Sequence, residues 1–212
     1  MNAGLSNLST LKSWLLPASL VAGTDYNAQI TALGLGVADQ LQRHCNRLFL
    51  RTVGDTFEIS ADRLHVVLPR FPLDAVPVIE QRDDLATGYV AQTFNDLVLD
   101  YNLAAGLITF AAMPGPDGSR LRFTYTGGYF FEALEPTDLG YPTATPGGST
   151  AVPADLQLAW RLQCELVWKQ RDKLGLNIAE KPNEVFMGSL SRVALLDAVK
   201  EMLAPYRRFV LT

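Results

Sequence analysis

The sequence predicts an α+β fold: a helical bundle with an inserted small antiparallel β unit and an extended carboxyl-terminal tail. Three observations carry this. Stretches towards both ends place apolar residues three and four positions apart, the period of one helix face. Between them, from Arg51 to Tyr129, short runs rich in β-branched and aromatic residues alternate with turn formers. After Pro205, the run Tyr206-Arg207-Arg208-Phe209-Val210-Leu211 alternates like an added strand. The expected organisation is one domain over residues 1–204, with helices at 7–16, 25–49, 154–174 and 189–204, a β insertion at 51–129 and a loop at 135–153. Residues 205–212 form an arm.

The first helix, Asn7 to Leu16, rests on Leu8, Leu11, Trp14 and Leu15 along one face, and Pro17 stops it. The turn-rich stretch Ala18 to Thr24 leads into the helix around which the chain is organised. That helix runs from Asp25 to Phe49 with Ile30, Leu33, Val37, Leu41 and Cys45 on its apolar side. Thr24 or Asp25 can cap its start. Gly34 and Gly36 each cost the helix about 1 kcal/mol relative to alanine, so another backbone is expected to approach closely there.

Seven strand-like runs follow: Phe57–Ile59, Leu64–Leu68, Val76–Ile79, Gly88–Val90, Leu97–Leu99, Leu107–Phe110 and Leu121–Tyr125. In the last, Leu121, Phe123 and Tyr125 point one way and Arg122 and Thr124 the other. Pro77 suggests an edge strand for its run. Gly127-Gly128 ends the β unit. The Pro-, Thr-, Gly- and Ser-rich stretch Glu135 to Pro153 reads as a surface loop, and with the turn Pro114 to Gly118 it is expected to be exposed.

Pro153 and Asp155 open the next helix, Ala154 to Leu174, ended by Gly175. Its apolar residues spread around much of the circumference, which implies a central place in the bundle or an interface with another copy. Leu156, Trp160 and Val167 are expected to pack against Ile30, Val37 and Leu41. Ser189 can cap a last helix to Ala204, with Val193, Leu196, Val199 and Leu203 as its stripe.

With 212 residues, 48% of them hydrophobic, the chain is long enough for a substantial core. A net charge of −4 argues against a surface that grips nucleic acid by neutralising phosphates. No apolar run approaches the roughly 20 residues that cross a bilayer, and no signal-peptide pattern opens the sequence, so a soluble intracellular protein is expected.

Candidate chemistry fails at each place it is sought. His44 and His65 have no cysteine or carboxylate at zinc-ligand spacing, so no metal is expected. His44 and Cys45, adjacent on a helix, cannot face the same way as base and nucleophile. Cys45 and Cys164 fall in helical stripes, where a free cysteine behaves as a small apolar residue. Leu33-Gly34-Leu35-Gly36 lacks the strand and third glycine of a dinucleotide fingerprint, and Gly127-Gly128 has no accompanying phosphate-loop lysine. Asp83-Asp84 reads as a solvated turn. The expectation is a protein that is not an enzyme and holds no cofactor.

The order of elements and several strings resemble the head-tail connector (adaptor) proteins of tailed bacteriophages. The strings are Tyr26 to Leu41 running into Cys45-Asn46-Arg47-x-Phe49, then Leu68-Pro69-Arg70-Phe71-Pro72-Leu73 with Val76 and Ile79. Leu107-Ile108-Thr109-Phe110, Arg122 to Tyr129 and Val152 to Ala159 complete the set. The loop at 135–151 and the length after Gly175 depart from the shortest family members, and Gly34 and Gly36 stand where alanines are expected.

The resemblance implies a structural virion neck protein, assembled in the host cytoplasm. It would be an adaptor ring, commonly of twelve copies, between the portal protein and a stopper or tail-side neck protein. DNA would pass through its lumen without sequence-specific binding, and no membrane would be involved. Rings arise from heterologous interfaces that close by rotation. An acidic lumen would let DNA slide. The resemblance also implies that the arm, Tyr206, Arg207, Arg208, Phe209, Val210 and Leu211, reaches the portal or a neighbouring subunit. Folding back on the last helix is the plainer alternative. Rival classes are another neck component (a stopper or tail-completion protein) and a small α+β ligand-binding module.

Overall fold

The computed structural model describes residues 3–83, 88–91, 98–116, 118–131, 145–170 and 193–208. It is α+β, and the chain divides into two compact units. One comprises Met1–Cys45, Phe131–Thr145 and Ala151–Arg207; the other comprises Asn46–Phe130, Pro146–Thr150 and Arg208–Thr212.

The first unit is helical. Helix α1 (Leu8–Leu15) begins where the Asn7 side chain accepts from the Thr10 N–H, and it buries Leu8 and Leu11. A short α2 (Ala18–Val21) follows in the stretch expected to be only turns, since Pro17 ahead of it is fixed at a φ suited to starting a helix. Helix α3 (Asn27–Cys45) buries Ile30, Leu33, Val37, Leu41 and Cys45, the stripe that the sequence predicts. Helix α4 (Ala154–Lys169) buries Leu156, Ala159, Trp160, Cys164, Val167 and Trp168. These two helices pack on each other, with Trp160 wholly buried and its indole N–H donating to the Gly34 carbonyl at 3.0 Å. Trp14 meets Trp160 edge to face, ring centroids 5.9 Å apart.

Gly34 is a glycine for the reason the sequence suggests. A Cβ there would lie 2.0 Å from the Ala3 carbonyl oxygen and 2.7 Å from a Leu11 methyl. The backbone that approaches is the segment before α1, where Ala3, Gly4 and Leu5 are buried. Gly4 adopts φ +115°, a conformation that disfavours a side chain, and any Cβ on it would meet the Gly34 carbonyl at 2.6 Å.

Helix ends differ from the predicted ones. Helix α3 stops at Cys45 rather than Phe49, because Asn46 turns left-handed (φ 50°) and the Leu48 N–H bonds to the Pro69 carbonyl instead of continuing the helix. Helix α4 leaves helical geometry at Gln170, and the predicted end at Leu174 lies outside the described residues, as does the Ser189 cap. The last helix, α5, spans Asp197–Leu203, not 189–204. Residues 193–196 are not helical, and Leu196 is extended with ψ 143°. A 3-10 turn, Ala204–Tyr206, follows α5.

The second unit is the β unit. Strands β1 (Thr52–Ser60), β2 (His65–Val67), β3 (Val78–Arg82), β4 (Val90–Ala91), β5 (Val98–Asn102), β6 (Leu107–Phe110) and β7 (Arg120–Gly127) all overlap the predicted runs. They form two antiparallel sheets, ordered β1-β7-β3-β4 and β2-β6-β5. Leu121, Phe123 and Tyr125 alternate into a core shared with Val66, Leu68, Phe71, Leu73, Ile79, Ile108 and Phe110. The expectation of an edge position for the Pro77 run is corrected. Pro77 precedes β3, so its missing N–H costs the ladder nothing, and β3 lies between β7 and β4.

Gly128 (φ +98°) turns the chain from β7 into β8 (Tyr129–Phe130), which pairs with β9 (Thr150–Ala151). The end of the predicted loop therefore joins a sheet, while residues 132–144 lie outside the described residues. In the turn from Pro114 to Gly118, Pro116 and Gly118 are exposed as expected, but Pro114 is buried.

Replacing Gly34 by alanine tests the close contact. In an open helix that change would stabilise by about 1 kcal/mol. Here overpacking against the Ala3 carbonyl is expected to reverse the sign and cost about 2 kcal/mol in urea unfolding. A variant more stable than the parent would show that the segment before α1 is not held there.

Candidate functional site

The residues that could carry chemistry are scattered. His44 is half-buried at the end of α3, and burial, then Arg207 and Lys200, hold its pKa below the ordinary histidine value. Its neutral form therefore belongs to the folded state. The stabilisation this brings is present above the unfolded value and is lost as pH falls through the lowered one. His65 is exposed on β2. Cys45 and Cys164 are both buried free thiols. Burial pushes the Cys164 thiol up, away from the reactive thiolate. Asp83 is exposed and accepts from the Gln81 amide at 2.6 Å; Asp84 lies outside the described residues. Among the described residues no three histidine, cysteine or carboxylate groups gather as metal ligands. No described helix is long and apolar enough to cross a membrane.

Three of the strings quoted for the connector resemblance, those around Arg47, Phe71 and Tyr129, converge on one residue. Arg47 is 5% exposed, with its guanidinium carbon 3.5 Å from the Phe71 ring centroid, 4.9 Å from Tyr129 and 5.5 Å from Phe49. Its Nη2 donates to the Phe71 carbonyl. Backbone bonds lace the same strings together. The Leu48 N–H donates to Pro69, the Tyr129 N–H to Phe49, the Arg51 N–H to Tyr129 and the Gly128 N–H to Pro72. Two ion pairs flank the knot, Arg51 to Asp74 at 2.7 Å and Arg70 to Asp55 at 2.8 Å, each with little solvent contact. Tyr125 donates to Asp55 at 3.3 Å, and burial pushes its phenol well above the ordinary value. This is a structural lock, with its charges consumed internally.

The carboxyl-terminal residues have separate surroundings. The Tyr206 hydroxyl donates to Asp155 at 2.5 Å, in the first turn of α4. Arg207 is exposed. Arg208, half-buried, donates from Nη2 to the Val67 carbonyl of β2 and lies 5.7 Å from the Phe57 ring centroid. Burial lowers its pKa, although an arginine stays charged at any ordinary pH. Phe209, Val210 and Leu211 lie outside the described residues.

Ahead of this end, side chains of α3 and α4 hold the chain by its backbone. Gln163 is wholly buried within the apolar face of α4. It donates to the Ala194 carbonyl at 3.2 Å and accepts from the Leu196 N–H at 3.1 Å. Gln40 donates to the Val193 carbonyl, and Cys45 lies 3.8 Å from the Leu203 carbonyl. The sequence reading missed this cradle. Its one visible signal is a glutamine in register with Trp160, Cys164 and Val167 on a stripe that is otherwise apolar.

No family model and no curated protein matches the sequence. Among solved structures, the chain is similar over its whole length to one described as "Neck of empty GTA particle computed with C6 symmetry". The alignment covers 100% of this chain and 95% of that one, with a TM-score of 0.54 and 15% sequence identity. The two chains share a fold.

Substituting Gln163 by leucine leaves the Ala194 carbonyl and the Leu196 N–H without their partner. It should cost about 2 kcal/mol, felt locally. Hydrogen exchange across 193–206 is expected to speed up by tenfold or more while the β unit keeps its rate. Unchanged exchange in that segment would show that the cradle does not hold it.

Proposed function

We propose that this chain is a structural component of the neck of a phage-like particle: a ring-forming adaptor between the capsid portal and the tail-side neck proteins. The observation that carries the reading is the fold shared from end to end with a chain of a GTA (gene transfer agent) particle neck. The order of strings resembling head-tail connectors supports it independently. So does the use of the charged residues at Arg47, Arg51, Asp55, Arg70 and Asp74 for internal locking rather than for a reactive cluster.

In this reading twelve copies form the ring, a number that a six-fold symmetric neck accommodates as two per repeat. DNA passes through a lumen that repels phosphate, consistent with the net charge of −4. The ring works in the virion neck and is assembled in the host cytoplasm, without enzymatic activity. The arm, Tyr206 to Leu211, docks on the portal. Arg207 is exposed and ready to meet a carboxylate, and Tyr206 and Phe209 are the anchors. Tyr206 and Arg208 would trade their internal partners for that contact.

Electron microscopy of the purified chain, alone and with portal, tests both parts. The expected result is a closed ring that seats on the portal. A strictly monomeric chain with no affinity for portal or tail-side proteins would overturn the neck reading. Truncation after Ala204 is expected to leave the chain folded and ring-forming but to weaken portal seating by tenfold or more. Unchanged seating would remove the arm from the account and leave the ring.

A further inference from the structure

We propose that the outer face of the sheet β1-β7-β3-β4 is a docking surface for a second copy of this chain, which meets it with the outer face of its own sheet β2-β6-β5. The inference rests on the ring reading above and assigns the two surfaces that such a ring brings together. The inward faces of both sheets share one core. On the first sheet Leu121, Phe123 and Tyr125 point inward, so the alternate positions line up across the strands on the other side. Val78, Thr124 and Thr56 form one row there. Next to it Thr126 lies opposite the bulge that contains Val53, and Val76 comes two residues before Val78. The three valines are between 53% and 70% exposed. A strand face left to water is ordinarily polar and charged, yet none of these six side chains carries a charge.

The two outer faces differ in the charge they leave unused. Further along the first face Glu80 engages Arg122 at 2.8 Å. Beyond it Arg120 and Arg82 stand directly opposite each other, and among the described residues neither meets a carboxylate. Like charges so placed repel. The second face sets His65, Thr109 and Asp100 in one row, and Val67, Leu107 and Asn102 in the next. Leu99, in the bulge beside Asp100, is 68% exposed. Asp100 meets no cation among the described residues. One face is therefore apolar with spare arginines, and the other is apolar with a spare carboxylate.

Unlike faces on opposite sides of one β unit select a head-to-tail contact. Were the first face to meet its own counterpart about a two-fold axis, the second would stay in water and no ring would close. A head-to-tail contact covers both faces of every copy and closes by rotation. Sheet faces suit it, since β-branched side chains interdigitate when two sheets stack about 10 Å apart. The arginines of one copy then gain the carboxylate of the next, which fixes the direction of the ring.

Both surfaces can be altered without touching the core. Val78→Glu is expected to leave the chain folded and to lower the yield of rings, counted by electron microscopy at equal concentration, by tenfold or more. Rings at the parent's yield overturn the docking. A second measurement locates the contact. Copies bearing Val78→Cys alone are co-assembled with copies bearing Leu99→Cys alone and treated with a short bismaleimide. The native Cys45 and Cys164 are wholly buried and stay unreacted. The proposal predicts bridges that join position 78 of one chain to position 99 of another, identified by mass spectrometry of the denatured rings. Rings that bridge position 78 to position 78, or give no bridge, overturn it and leave the neck reading standing. Absence of rings from the parent chain, alone and with portal, overturns both.

Discussion

A buried arginine stacked among three aromatic rings is the constraint on which the β unit depends. Arg47 comes just after the end of α3, and its guanidinium is stripped of nearly all its water. A charge so placed costs several kcal/mol unless its surroundings are built for it. The surroundings are drawn from three separate stretches: Phe49 next door, Phe71 in the proline-bearing string, and Tyr129 after the Gly-Gly turn. Bringing these together fixes where 46–51, 68–73 and 127–130 run, and the backbone bonds between them close the arrangement.

The helical unit solves a different problem, the approach of backbones. At Gly34 and Gly4 the absence of side chains lets the segment before α1 lie against α3, and Trp160 completes the contact by bonding to the same Gly34 carbonyl. Here small residues set the geometry and a large one seals it. At the other end of the chain the segment 193–206 combines polar tethers to its backbone with the buried side chains of Val193, Val199 and Leu203.

Periodicity made much of the fold legible. The α3 stripe, the seven strand runs and the face chosen by Leu121, Phe123 and Tyr125 could be read because each follows directly from a repeat of 3.6 or 2. The glycine at 34 also announced a close contact, though not that Ala3 would be the neighbour. What stayed hidden depends on groups far apart in sequence. The apolar pattern runs on past Cys45, and a left-handed Asn46 leaves no periodic mark. Leu196 looked helical because its spacing fits, yet Gln163 claims its N–H. Pro77 signalled an edge because a proline's cost depends on its place in the ladder, and that place was one residue before the strand. The lock at Arg47 was quoted as a string in the resemblance, but its stacking partners could not be chosen from the many aromatics available.

The central claim is that Arg47 and its rings act as one unit rather than as neighbours of similar chemistry. A double-mutant cycle measures this most directly. The unfolding free energies of Arg47→Met, Phe71→Leu and the double variant would be compared with the parent in urea. The account predicts that the two single losses exceed the double loss by more than about 1 kcal/mol, since either change already dismantles the stack. Losses that simply add, within about 0.3 kcal/mol, would mean that the arginine and the ring contribute independently, and would contradict it.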